Sequence, residues 1–180
     1  LPEARMKMTV VERLRSLFQE PFAEVKRMGI AEGMKVADLG AGEGYFTMPA
    51  AIVVGKAGVV IAVEPDLKRS DLIKARATRE GLDNVRVIVT KAEDLSGVPS
   101  GEVDLAFSAF TMHHFEDRGA ALKEIGRVLR DGGTFYLWDR VPGRFFKWGT
   151  QPKELEEIAA GFAKFEPIEV KGTVRARFVK

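Results

Sequence analysis

The sequence contains no cysteine, which excludes disulfides, thiolate metal sites and cysteine nucleophiles. It has one asparagine, Asn84, and only two glutamines, Gln19 and Gln151. Depletion of such heat-labile residues beside many Lys, Arg and Glu is the bias expected of a thermophile. No apolar run approaches the roughly 18 to 20 residues of a membrane-spanning helix, and the opening LPEARMKM lacks a signal peptide's apolar core. A soluble, cytoplasmic protein without membrane association is expected. An excess of one charge sign is missing too. The net charge is +2, far from the basic balance that marks a nucleic-acid binder, so nucleic acid stays open as a partner without being indicated.

What is present suits one domain over residues 1–180, long enough to bury well over half of the surface its unfolded chain exposes. Val10, Val11, Leu14, Leu17 and Phe18 recur at helical spacing, and Pro21 precedes a second helical piece ending at Met28-Gly29. Residues 1–30 therefore read as N-terminal helices. MKVADL (34–39) reads as a buried strand, GVVIAVE (58–64) as the second, NVRVIVT (84–90) as the third, VDLAFS (103–108) as the fourth and TFYLWD (134–139) as the fifth. Helices are expected after Thr47 as N-cap, from Leu67 to Glu80 between an Asp66 cap and Gly81, from Arg118 to Arg130 with DGG (131–133) ending it, and from Pro152 to Phe162. This alternation argues for a parallel sheet covered on both faces. The last two strands, near 165–171 and 173–179, are separated too briefly for a crossover and should form an antiparallel edge hairpin.

Three glycines, Gly40, Gly42 and Gly44, stand between the first strand and its helix. In an open α/β sheet ligands bind outside the carboxyl ends of the strands, where glycines remove the Cβ atoms that would hold a ligand away. Glu64 ends the second strand, placed to accept hydrogen bonds from two ribose hydroxyls. The glycine spacing differs from the dinucleotide fingerprint G-x-G-x-x-G, and Asp38, two residues before Gly40, would repel a pyrophosphate. The same acid would attract an ammonium group, which favours S-adenosylmethionine as the nucleoside cofactor.

Four segments, VADLGAGEGYFT, AVEPD, KAEDL, and VDLAFSAFTMHHFED followed by LKEIGRVLRDGGTFYLWD, occur in one order and spacing. Over roughly residues 25 to 140 the chain resembles the Rossmann-like (class I) S-adenosylmethionine-dependent methyltransferases, in particular the small standalone type related to ubiquinone and menaquinone biosynthesis methyltransferases. The resemblance implies a three-layer α/β sandwich with a seven-stranded, mostly parallel sheet of order 3-2-1-4-5-7-6 and strand 7 antiparallel. It further implies a cofactor-binding core over 31–140 and an acceptor-side loop and terminal hairpin over 141–180.

By matching position, the resemblance implies that Asp38 holds the methionyl ammonium and that Gly40, Ala41 and Gly42 let the backbone pass beside the methionine and ribose. Glu64 would clamp the ribose, Pro65 would touch the adenine face, and Ser108 would offer its carbonyl to the ammonium. The family's adenine-contacting aspartate is replaced here by Lys91, which cannot accept a hydrogen bond. Glu93 or Asp94 is expected to take over, with the Ala92 N–H reaching a ring nitrogen. His113 and His114 are the only histidines and are the candidates for a general base, needed only if the acceptor atom carries a proton; such a pair can equally pack beside the sheet. No metal is expected, because adjacent histidines diverge and no third ligand is evident. Arg140, Arg144 and Lys147, interleaved with Phe145, Phe146 and Trp148, can hold an anionic or aromatic acceptor, stack on bases, or simply cover a sheet edge. Phe18 and Phe22 would close the pocket from the other side. The expected activity is methyl transfer to a small molecule. The alternatives are an RNA or protein methyltransferase and a non-catalytic S-adenosylmethionine-binding subunit.

Overall fold

A computed structural model describes residues 20–143, 147–170 and 172–180. The expected helix over 10–18, and Arg144, Phe145 and Phe146 of the expected acceptor segment, lie outside the described residues. Helix α1 (Pro21–Arg27) precedes strand β1 (Lys35–Leu39), followed by α2 (Thr47–Val54), β2 (Val59–Val63), α3 (Leu67–Glu80), β3 (Val85–Ile88) and β4 (Val103–Ala109). A short 3-10 turn (Met112–His114) leads to α4 (Arg118–Val128), β5 (Leu129–Arg140), α5 (Glu154–Ala159), β6 (Lys164–Val170) and β7 (Thr173–Val179).

The sheet order is β3-β2-β1-β4-β5-β7-β6. The first five strands pair in parallel, and β7 runs antiparallel to both β5 and β6. β1 lies inside the sheet and after exposed Lys35 is buried on both faces, which is why Val36, Ala37 and Leu39 are apolar around Asp38. Ala37 and Leu39 join Ile61, Val63, Ala106 and Phe135 on one face, while Val36 joins Val60, Leu105 and Phe107 on the other. β7 instead alternates buried Val174, Ala176 and Phe178 with more exposed Arg175 and Arg177, the period of a strand near a sheet edge. Pro167 falls on the edge strand β6, where a missing N–H costs the ladder least. Among the described residues no helix is long and apolar enough to cross a membrane.

Asp66 caps α3 by accepting the Arg69 N–H at 2.9 Å, and Gly81 ends it at φ 68°. Two expectations are corrected. Residues 131–133 do not end α4. The helix stops at Val128, and DGG bulges inside β5 between the pairs Val103↔Leu129 and Leu105↔Thr134. A glycine pair signals a bulge as readily as a turn, and here the apolar Leu129 is already in the sheet. Nor does Thr47 cap α2, whose N-cap is Phe46 without a side-chain bond. The Thr47 hydroxyl is turned inward to Asp38 instead.

Candidate active site

The carboxyl ends of β1, β2 and β4 open into a cavity of about 570 Å³. The turn after β1 is tied to the end of β2 because the Gly40 and Ala41 N–H groups both donate to the Val63 carbonyl, at 2.9 and 3.0 Å. All three glycines have positive φ: 77° at Gly40, 58° at Gly42 and 83° at Gly44. Their reasons differ. A Cβ on Gly40 would lie 2.7 to 2.9 Å from three atoms of Thr111, and one on Gly44 would lie 3.0 Å from Met48 Cε. A Cβ on Gly42 would meet nothing within 4 Å. Of the three, Gly42 is the one whose bare Cα gives on to open space. Gly40 and Gly44 make room for the protein's own side chains.

Glu64 is buried, and its carboxylate holds the turn: Oε2 accepts the Gly42 N–H at 2.8 Å and Oε1 accepts the Asp66 N–H at 3.0 Å. A carboxylate offers about four lone-pair sites, so about two remain for a ligand's hydroxyls. Asp38, also buried, accepts the Thr47 hydroxyl at 2.7 Å. Burial pushes its carboxyl up to about 7; the Thr47 bond opposes the shift and the Glu64 charge adds to it. The two acids and bare Gly42 line one wall together with Ala41 and Pro65.

Lys91, Ala92 and Glu93 line the wall opened by the loop after β3. Lys91 is paired with Glu116 at 2.6 Å, which holds its ammonium above the usual range. Glu93 Oε1 accepts the Glu116 and Asp117 N–H groups at 2.7 and 3.1 Å, so this loop is strapped to the start of α4. Asp94 bonds the Ser96 N–H at 3.1 Å and does not line the cavity, which leaves Glu93 as the acid beside Ala92.

Ser108 is buried behind the cavity-lining run Ala109, Phe110 and Thr111. The Thr111 hydroxyl donates to the Leu39 carbonyl at 2.7 Å, so the Ser108 hydroxyl, 2.8 Å away, must be the donor of their shared bond. Phe110 has φ 61°, the one positive value at a non-glycine among the described residues. Such strain collects at functional sites. Its N–H donates to the Trp138 carbonyl at 2.7 Å, and its ring packs against Trp138 with centroids 4.5 Å apart.

The two histidines are separated in role by position. His114 lines the cavity and His113 does not. Burial first, then the neighbouring His113, holds the His114 imidazole below its ordinary range; Arg69 acts in the same direction and Asp139 against it. The His113 side chain is buried, with Nδ1 at 2.9 Å from Asp139 Oδ1 and its ring stacked on Trp148 at 4.8 Å. Arg140 lies 5.6 Å over the Phe110 ring and 5.2 Å over Trp148. Neither Arg140, Lys147, Trp148 nor Phe22 lines the cavity. Among the described residues no three His, Asp or Glu side chains converge as metal ligands.

Arg69 and Thr111 line the cavity, while Thr47 and Asp139 lie behind it against Asp38 and His113; none of the four was marked in the sequence as a site residue. Asp139 had a signal, since it closes β5 as Asp38 and Glu64 close or follow β1 and β2. Thr111 had none, because its partners Leu39 and Gly40 are distant in the chain.

A methyltransferase-domain family model matches residues 37–137, more than half of the chain. The ubiquinone/menaquinone biosynthesis C-methyltransferase of Hydrogenovibrio crunogenus is 34% identical over 114 residues, covering 63% of this chain and 44% of that protein. The aklanonic acid methyltransferase of a Streptomyces species is 30% identical over 120 residues, covering 67% of this chain and 52% of that protein. The chain thus spans about half the length of these curated relatives. Among solved structures, an S-adenosylmethionine-dependent methyltransferase from Aquifex aeolicus superposes with TM-score 0.76 at 24% identity, covering 92% of each chain. A [4+2]-cyclase shares the fold at TM-score 0.68 and 20% identity, covering 88% of this chain and 59% of its own. With the match over residues 37–137 joined to this sheet order, the chain belongs to the methyltransferase-domain family, the Rossmann-like S-adenosylmethionine-dependent methyltransferases.

Proposed function

We propose that this chain transfers the methyl group of S-adenosylmethionine to a small-molecule acceptor by direct displacement, with residues 31–140 as the cofactor-binding core. The observation that carries the reading is the cradle of Gly42, Glu64 and Asp38. Bare Cα, paired carboxylate and buried acid line one wall of one cavity. They suit a ligand that carries both a ribose and an ammonium group. When bound, the cofactor supplies a methyl already activated by its sulfonium centre, so positioning is the main demand on the protein.

The free lone pairs of Glu64 accept the ribose hydroxyls. Asp38 receives the ammonium, while Ser108, expected to offer its carbonyl, lies behind the cavity wall and acts through Thr111. Pro65, Ala92 and Glu93 border the adenine. Gly40 and Ala41 act by holding the turn against Val63. His114 is the imidazole that faces the acceptor, and its depressed basicity keeps it neutral near pH 7, ready to take a proton where the acceptor atom has one. His113 supports it from behind. A small acceptor fits the near-neutral charge of +2 and relatives whose names speak of quinone biosynthesis and of an acid.

Two outcomes follow from the raised Asp38. The ammonium favours the ionised carboxylate, so binding releases a proton below about pH 7, and affinity rises about tenfold from pH 6 to pH 8. Calorimetry in two buffers of different ionisation enthalpy reads both effects; a flat affinity with no proton release contradicts the assignment. In the free protein the native state holds this proton more tightly than the unfolded chain, whose Asp titrates near 3.8. Its contribution is therefore full below pH 3.8 and lost as pH rises through 7. Asp38→Asn should raise the melting temperature at pH 8 while removing cofactor binding, and a lowered melting temperature would refute the buried-charge account. Labelled methyl transfer from the cofactor into pools of metabolites, RNA and protein identifies the acceptor class. Label confined to RNA or protein would overturn the small-molecule reading.

A further inference from the structure

Asp139 is the penultimate residue of β5 and is fully buried. Its carboxylate collects three segments. Oδ1 accepts the Arg140 N–H at 2.8 Å and lies 2.9 Å from His113 Nδ1; Oδ2 accepts the Thr150 hydroxyl at 2.9 Å and lies 3.2 Å from the same Nδ1. The His113 side chain is 3% exposed, and its ring contacts those of His114, at 4.1 Å, and Trp148, at 4.8 Å and 24°. Its other nitrogen, Nε2, is buried and has no hydrogen-bond partner among the described residues. Asp139 is thus the one polar hold on this ring among the described residues. An ionised carboxylate can only accept hydrogen bonds, so opposite one the Nδ1 atom would carry the proton and Nε2 of a neutral ring would bear the lone pair.

We propose that Asp139 is the positioning residue of the acceptor side: by accepting from His113 Nδ1 and from the Thr150 hydroxyl, it fixes His113 in one tautomer and orientation and, through that packed ring, holds His114 at the cavity wall. The inference rests on His114 facing the methyl acceptor. Asp139 touches neither cofactor nor acceptor; it works through His113. The alternative is that Asp139 merely fastens the chain at Thr150 to the sheet, with the ring free to choose its tautomer.

Histidine-selective ¹⁵N NMR separates the two, because the chain has only two histidines and needs no acceptor for the measurement. At pH 8 the wild-type His113 should show a protonated Nδ1 and a bare Nε2. In Asp139→Asn the amide offers one oxygen for which the Arg140 N–H and Thr150 hydroxyl compete, so it no longer demands a proton on Nδ1. His113 should then show a tautomer mixture. The charges acting on His114 are His113 from its own turn, Arg69 from α3 and Asp139 from β5; with Asp139 gone His114 should titrate lower than in wild type. Thr150→Val removes one hydroxyl and leaves the pair, so it should keep the wild-type tautomer. A wild-type His113 protonated at Nε2, or an Asp139→Asn spectrum identical to wild type, overturns the proposal. Should Asp139→Asn not fold, the wild-type spectrum and Thr150→Val still decide. Calorimetry with S-adenosylhomocysteine tests the underlying reading apart from this one: wild type and Asp139→Asn should bind it alike, and failure of wild type to bind would sink the proposed function, whatever tautomer His113 adopts.

Discussion

Glu64→Ala should abolish measurable S-adenosylmethionine binding while leaving the fold intact. Two losses combine. The ribose hydroxyls lose a charged acceptor, and the Gly42 and Asp66 N–H groups lose the oxygens that hold them. Hydrogen bonds to charged groups are worth about 1.5–3 kcal/mol each, so losing two amounts to roughly 3–6 kcal/mol, or two to four orders of magnitude in Kd. Glu64→Gln keeps the shape but turns an amide NH₂ toward one of two backbone donors, and should fall between wild type and alanine. Calorimetry reads all three. Wild-type affinity in Glu64→Ala would remove the ribose clamp from the account.

Gly40→Ala should be among the most destabilising small substitutions in the chain. At φ 77° a side chain sits in the left-handed region, at a cost of about 1–2 kcal/mol. Its methyl would also lie 2.7 to 2.9 Å from three Thr111 atoms, and Thr111 is held by its bonds to the Leu39 carbonyl and Ser108. Overpacking of this kind adds about 1–3 kcal/mol. The expected total is about 2–5 kcal/mol, read as a fall in the urea midpoint. Gly42→Ala carries the dihedral cost without the clash and should be milder in stability, yet it puts a methyl into the open space proposed for the cofactor and should weaken binding. Equal destabilisation by the two would show that Thr111 can yield.

This contrast also marks how far the sequence could be read. The glycines, the acid before them and Glu64 were readable as one cluster, and line one cavity, because their meaning is local: a side-chain-free bend and two strand-end carboxylates. The Asp66 cap and Gly81 stop of α3 were legible for the same reason; the alternation of strands and helices pointed to a parallel sheet, and the family resemblance supplied its strand order. What escaped depends on contacts remote in sequence. Gly40 is bare because of Thr111, some 71 residues on. The lysine that replaces the family's adenine-contacting acid is neutralised by Glu116, and Glu93 straps its loop to α4. The histidine pair could be seen but not divided, since only the fold shows one imidazole on the cavity and the other on Asp139. DGG misled because a bulge and a turn share the same residues.

The most direct measurement is a calorimetric titration of the wild-type protein with S-adenosylhomocysteine beside NAD. The account predicts one-site binding of S-adenosylhomocysteine that disappears in Glu64→Ala, and no heat from NAD. Saturable NAD binding with no response to S-adenosylhomocysteine would contradict it.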